Sequence, residues 1–251
     1  MPTGREPASL GAPASPAALW RYERVLWRRG FGPVVGVDEA GRGACAGPLV
    51  TAAVALPARP SARLRELADS KLLTPEARER VYDQIMKVAL TWSAVIVGPA
   101  ELDATGLHRA NIEAMRRAVV AIPSPVGYVL TDGFPVPGMP ATTTAIIKGD
   151  QVCASIAAAS VVAKVTRDRI MTDLHERYPE YDFAQHKGYV TAGHAAALTR
   201  FGPSDVHRLS FVNVARARRG GPSRLEDTEG MSGVEMRGVR GRRRDRVTES
   251  A

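Results

Sequence analysis

The chain has 251 residues, 34 Lys plus Arg against 26 Asp plus Glu, a formal net charge of +8 and 45% hydrophobic residues. This suits one globular catalytic domain with tails. No window reaches the roughly 18 apolar residues that a membrane-spanning helix needs, and the opening MPTGREPASLGAPASP lacks the apolar segment of a secretory signal, so a cytoplasmic protein with no membrane partner is expected.

Residues 1–16 hold four prolines and are expected to form a disordered leader. From 17 onward, AALWRYERVLWRRGFGP places Leu19, Tyr22 and Leu26 on one helical stripe, with Gly30 available to end the helix. VVGVD (34–38) and PLVTAAVAL (48–56) are apolar, β-branched runs that read as strands, separated by the small-residue loop EAGRGACAG. Thr74 and Pro75 supply the N-cap and first-turn proline of a helix TPEARERVYDQIMKV, followed by a strand at 90–98 and a helix at about 105–120. GYVLTDG (127–133) reads as a strand ending in an acid, TTTAIIKGD (142–150) as a short strand with its turn, and 155–178 as a long helix. TAGHAAALTRFG (191–202) reads as a helix capped by Thr191 and closed by Gly202. This order predicts an α/β domain over 17–215, a mixed sheet covered by helices with a small helical C-terminal region.

Residues 216–251 carry ten Arg and six acids, about half of the net charge, with no aromatic residue and little aliphatic content. Such a segment buries too little surface to offset its ordering entropy and is expected to be a disordered Arg-rich tail. It either contacts nucleic-acid phosphates or simply aids solubility. Cys45 and Cys153 lack a CxxC or Cys/His pattern and read as packed, reduced residues.

Four acids stand out. Asp38 and Glu39 close the first strand, Asp132 closes a later one, and Asp150 sits in the turn before the long helix. Side chains at strand C-terminal ends converge on one edge of an open α/β sheet. Gathered carboxylates repel unless cations hold them, and hard oxygen donors suit Mg²⁺ or Mn²⁺. Taken singly, each acid could instead cap a turn. Asp168 lies 18 residues beyond Asp150, about 27 Å along a helix at roughly 1.5 Å per residue, so both cannot serve one metal pair. Beside Arg167 and four residues after Lys164, it reads as part of a surface ion pair.

GRGACAG offers unhindered backbone N–H groups suited to a sugar-phosphate chain but does not match a nucleotide P-loop, because no Lys-Ser or Lys-Thr follows. Tyr189 in HKGYVTAGH could stack on a sugar or base, or be a half-buried core tyrosine. His186 and His194 lack the spacing of helical metal ligands.

These stretches resemble the bacterial ribonuclease HII family. The resemblance runs through GVDEAGRGACAGPLVTAAV, LADSKLLTPEARERVY, LTDGFPVP, IIKGDQVCASIAAASVVAKVTRDRIM, HKGYVTAGHAAAL and HRLSF, in order, over about 34–211. It implies a ribonuclease H-like fold and a catalytic metal site of Asp38, Glu39, Asp132 and Asp150. It also implies Gly41, Arg42 and Gly43 at the RNA–DNA junction, with Tyr189 on the adjoining sugar. From their places in the same motifs, Lys71, Lys164 and Lys187 are candidate phosphate contacts, or solvated surface charges. The implied activity is endonucleolytic hydrolysis of the RNA strand of RNA–DNA hybrids, with nicking 5′ of single ribonucleotides in duplex DNA. Two divalent ions, Mn²⁺ or Mg²⁺, would assist, leaving 3′-hydroxyl and 5′-phosphate ends. A monomer is expected, and the sequence points to no protein partner. A non-catalytic hybrid-binding protein fits the four acids poorly, and a small-molecule phosphohydrolase leaves Tyr189 and the GRG loop without a role.

Overall fold

The computed structural model describes residues 16–68 and 70–220, and the backbone of 239–242. The expected leader, apart from Pro16, and most of the expected tail lie outside the described residues.

β1 (Val34–Ala40), β2 (Leu49–Ala55), β3 (Thr91–Val97), β4 (Tyr128–Asp132) and β5 (Thr143–Ile146) lie in one sheet in the order β5-β4-β1-β2-β3. β1, β2 and β3 run antiparallel in sequence, whereas β4 pairs parallel to β1 and β5 parallel to β4. The sheet is therefore mixed, and helices cover both its faces. Alternation along the strands decides what each face buries. Val50, Ala52 and Val54 of β2 pack with Ala157, Ala158, Val161 and Val165 of the long helix α7 (Ala154–Arg177). Ala53 joins Val35, Val37, Val95 and Val97 against Ala110, Ala114, Met115 and Ala118 of α5 (Leu107–Val120).

The approach of α7 to the sheet is set by small residues. A Cβ built on Gly36 would run into the backbone of Ser155 and Ile156. Backbone cannot move aside as a flexible side chain can, so Gly36→Ala should cost at least about 2 kcal/mol. The expected fall in Tm is roughly 4–8 °C, read by thermal melting; an unchanged Tm would refute this close contact.

The first helix departs from the expected continuous segment. It divides into α1 (Pro16–Leu19) and α2 (Arg21–Arg28), with Leu19, Trp20 and Glu23 buried and Tyr22 exposed. A polar contact rotates it: one Glu23 carboxylate oxygen accepts from both the Ser155 N–H (2.8 Å) and the Ser155 hydroxyl (2.7 Å) at the start of α7. Burial raises the Glu23 pKa above the usual carboxylate value, outweighing the hydrogen bonds that lower it. Its ionised form therefore weakens the folded state, by an amount absent below pH about 4.5 and growing as pH rises through the raised folded pKa. Glu23→Gln keeps an acceptor for Ser155 and removes that charge. Measured from pH 4 to 7, the stability of the variant relative to the parent chain should rise with pH, and a constant difference would contradict the assignment.

α3 (Pro75–Val88) begins as expected, with the Thr74 hydroxyl accepting from the Ala77 N–H. The expected helix at 105–120 is preceded by a separate α4 (Pro99–Thr105), divided from α5 at Gly106, whose φ is +85°. The expected strand at 142–150 ends at Ile146 and gives way to the turn α6 (Gly149–Val152).

The C-terminal region packs α8 (Phe183–His186), α9 (Ala192–Phe201) and α10 (Val212–Gly220) around a separate small core of Cys45, Met171, Tyr181, Phe183, Leu198 and Val214. Thr191 caps α9 by accepting from the His194 N–H. Residue 215, the expected end of the domain, falls inside α10, which buried Val214 anchors. Further on, β6 (Val239–Arg242) pairs antiparallel with β3, where the outer edge of the sheet supplies backbone partners. Both cysteines are buried and free. Among the described residues, no helix is long and apolar enough to cross a membrane.

Candidate active site

Register brings the acids together. Val37 of β1 pairs with Thr131 of parallel β4, so Asp38 and Asp132 emerge side by side at the carboxyl edge. Asp132 is in turn aligned with Ile146 at the end of β5, from which the chain turns into α6 and Asp150. Asp38, Asp132 and Asp150 each present a carboxylate oxygen within 4.8 Å of the others, and Asp38 and Asp150 are 4% and 3% exposed.

Hydrogen bonds fix these side chains. The Glu39 N–H donates to Asp38 Oδ1 (2.7 Å), the Gly149 N–H to Asp132 Oδ1 (2.7 Å), and Lys71 Nζ to Asp150 Oδ2 (3.3 Å). Burial, then repulsion from Glu39 and Asp132, raises the Asp38 pKa well above the carboxylate range. Three hard oxygen donors under this mutual repulsion form a chemically suitable seat for a divalent cation. Glu39 stands outside this trio. Its pKa is raised by burial and by Asp132, while Arg42, 3.9 Å away, opposes the rise.

The glycine loop between β1 and β2 stands beside the acids. Gly41 takes φ +86° over the Arg167 side chain, leaving no room for a Cβ. Two buried arginines grip the carbonyls that follow. Arg167 Nε donates to Pro48 O (2.9 Å) and Nη2 to Ala46 O (3.1 Å), while Arg208 Nε donates to Gly47 O (3.0 Å) and Nη1 to Arg42 O (3.1 Å). Neither arginine stood among the sequence candidates. Arg167 did leave a signal, because it follows Ala163 and precedes Met171 at intervals of four on the buried face of α7, where apolar residues are expected.

Tyr189 faces this loop from the C-terminal region. A Cβ on Gly43 would sit 4.0 Å from the tyrosine ring, and the Arg167 guanidinium lies 5.4 Å from the ring centroid. With 39% of its surface exposed, Tyr189 is not a core tyrosine. Lys164 lies 6.0 Å from the same centroid and donates to Asp168 Oδ1 (2.6 Å). Asp168 also pairs with Arg78 at 3.5 Å, not with inward-turned Arg167, and lies apart from the three acids. Lys187, on the strap leading to Tyr189, donates to the Thr172 hydroxyl of α7 (3.1 Å). The structure thus gathers Asp38, Asp132, Asp150 and Lys71, with Glu39 and Arg42 alongside, and places Gly43, Lys164 and Tyr189 on the adjoining surface.

The sequence profile described as ribonuclease HII matches residues 35–214. A ribonuclease HII of Frankia casuarinae is 61% identical over 215 residues, covering 84% of this chain and 90% of that protein. One from Parafrankia sp. is 58% identical over 229 residues, covering 90% and 95%. Among solved structures, the ribonuclease H2 from Pyrococcus horikoshii OT3 superposes with a TM-score of 0.65 at 26% identity, covering 74% of this chain and 97% of that one. Bst-RNase HIII in complex with Mn²⁺ shares the fold, with a TM-score of 0.59 at 19% identity over 85% of this chain and 75% of that one. The fold is ribonuclease H-like, and the enzyme is a metal-dependent nuclease that cleaves the RNA strand of RNA–DNA hybrids. The chain belongs to the ribonuclease HII family.

Proposed function

We propose that the enzyme hydrolyses the phosphodiester on the 5′ side of a ribonucleotide, in RNA–DNA hybrids and at single ribonucleotides within duplex DNA, leaving 3′-hydroxyl and 5′-phosphate ends. The observation that carries this reading is the carboxylate trio beside a glycine loop that Tyr189 faces at Gly43. Asp38, Asp132 and Asp150, with Glu39 beside them, would hold two divalent ions, Mn²⁺ or Mg²⁺. When bound, these ions supply charge stabilisation and an activated water.

The protein's own part is to bind and orient. Exposed Gly43 leaves the backbone accessible to a 2′-hydroxyl, the group that distinguishes ribose from deoxyribose, and Gly41, buried against Arg167, gives the loop the turn that presents it. Arg42 meets the neighbouring phosphate, and Tyr189 packs on the following sugar. Lys71, Lys164 and Lys187 would contact phosphates, exchanging their Asp150, Asp168 and Thr172 partners for phosphate on binding.

Three duplexes test the reading: all-DNA, continuous RNA–DNA hybrid, and DNA with one ribonucleotide. Cleavage of the last two but not the first is expected. An enzyme that leaves the single ribonucleotide intact would limit the activity to hybrids and remove the junction assignment.

A further inference from the structure

Beneath Tyr189 lies a histidine group that the catalytic reading leaves unused. His186 and His194 stack with centroids 4.3 Å apart, and the His207 ring lies 5.2 Å from His194. His194 and His207 are buried, at 0% and 2% exposed.

Their hydrogen bonds determine where the protons sit. The Ser204 N–H lies 3.0 Å from His207 Nδ1 and the Ser204 hydroxyl 2.9 Å from it. A backbone N–H can only donate, so His207 Nδ1 is bare and Nε2 carries the hydrogen. His207 Nε2 is 3.0 Å from His194 Nε2, which must accept and is therefore bare in turn. His194 then holds its hydrogen on Nδ1, 2.9 Å from the Tyr189 carbonyl oxygen, which can only accept. Donors and acceptors alternate without conflict from Ser204 to Tyr189. Burial agrees with this neutral relay, holding His207 down to about 3 and lowering His194.

The same strap is tied to the glycine loop. The Gly188 carbonyl accepts from the N–H groups of Cys45 (3.0 Å) and Ala46 (3.3 Å), and Ala46 forms a β-bridge with His207. The Gly188 N–H donates to His186 Nδ1 (3.1 Å), which leaves His186 Nε2 to donate to Tyr181 O (2.6 Å). The exposed Tyr189 ring rests on charged side chains and not in a core, so its place depends on how its backbone is held.

We propose that His194, oriented by His207, is a positioning residue that sets where Tyr189 stands against the glycine loop and thereby how well a ribonucleotide junction is distinguished from a continuous hybrid. This rests on the reading of Tyr189 as the residue that packs at that junction.

The test compares His194→Ala, His194→Asn, Tyr189→Ala and the His194→Ala/Tyr189→Ala double variant on a duplex with one ribonucleotide and on a continuous hybrid. His194→Ala should lower the ratio of kcat/KM on the first to that on the second by roughly tenfold to a hundredfold, the scale of a ~1 Å misplacement. His194→Asn carries an amide nitrogen where Nδ1 stood and should recover most of that ratio. The double variant should be no worse than Tyr189→Ala alone, because both changes act through one side chain. In the unmodified protein, nitrogen-15 NMR should find the hydrogen on Nδ1 of His194 and on Nε2 of His207.

Additive losses, equal losses on both substrates, no recovery with asparagine, or the opposite tautomers would each overturn the proposal. If His194→Ala does not fold, the asparagine variant and the tautomers decide. Normal discrimination by Tyr189→Ala would remove the junction reading and the proposal with it. Impaired Tyr189→Ala beside unimpaired His194→Ala would overturn the relay alone.

Discussion

Asp132→Asn is expected to lower cleavage on the order of a thousandfold or more while leaving hybrid binding largely intact. The asparagine oxygen can still accept from the Gly149 N–H, as Asp132 Oδ1 does at 2.7 Å, so the turn that carries Asp150 keeps its support. What disappears is one charge beside the buried oxygens of Asp38 and Asp150. That charge would help hold divalent ions whose effect on the transition state is worth several kcal/mol, enough for three powers of ten in rate. Removing it also relieves repulsion on Asp38, so Tm should not fall. Single-turnover cleavage at saturating Mn²⁺ or Mg²⁺, beside fluorescence anisotropy with the hybrid, provides the check. Near-normal cleavage would remove Asp132 from the catalytic set.

Tyr189→Ala should lose about a hundredfold in activity on a duplex with one ribonucleotide, with an unchanged circular dichroism spectrum. The ring is 39% exposed, lies over the Arg167 guanidinium and faces Gly43, so it contributes a surface for a sugar more than it fills a core. Placement errors of about 1 Å cost on this scale. An unfolded variant would return Tyr189 to a packing role, and normal cleavage of the single-ribonucleotide duplex would deny it the junction.

The parts of the site legible in the sequence were those governed by local rules. Asp38 and Asp132 end apolar strand runs, and parallel pairing of those runs is enough to set the acids side by side. Thr74 and Thr191 mark helix starts because capping is a local hydrogen bond. Parts that depend on distant polar partners were not legible. Periodicity placed Tyr22 on the inner stripe with Leu19 and Leu26, which do face inward, but the bond from Ser155 to Glu23, 132 residues away, draws Glu23 in and leaves Tyr22 exposed. Arg208 sits in a short segment without periodicity, and only the folded chain shows its guanidinium against Gly47 O and Arg42 O. The breadth of α10 was missed because one buried valine, Val214, anchors a helix otherwise rich in arginine. Glu39 entered the acid set because it closes the first strand beside Asp38, and the structure sets it beside the trio and near Arg42.

Product analysis on a 5′-labelled duplex carrying one ribonucleotide, with Mn²⁺ or Mg²⁺ and again with excess chelator, tests the two-ion site most directly. The assignment of Asp38, Glu39, Asp132 and Asp150 to a two-ion site predicts one nick on the 5′ side of the ribonucleotide. That nick should leave a 3′-hydroxyl and a 5′-phosphate, and none should form in chelator. Cleavage on the 3′ side through attack by the 2′-hydroxyl, or a nick that persists without divalent ions, would contradict it.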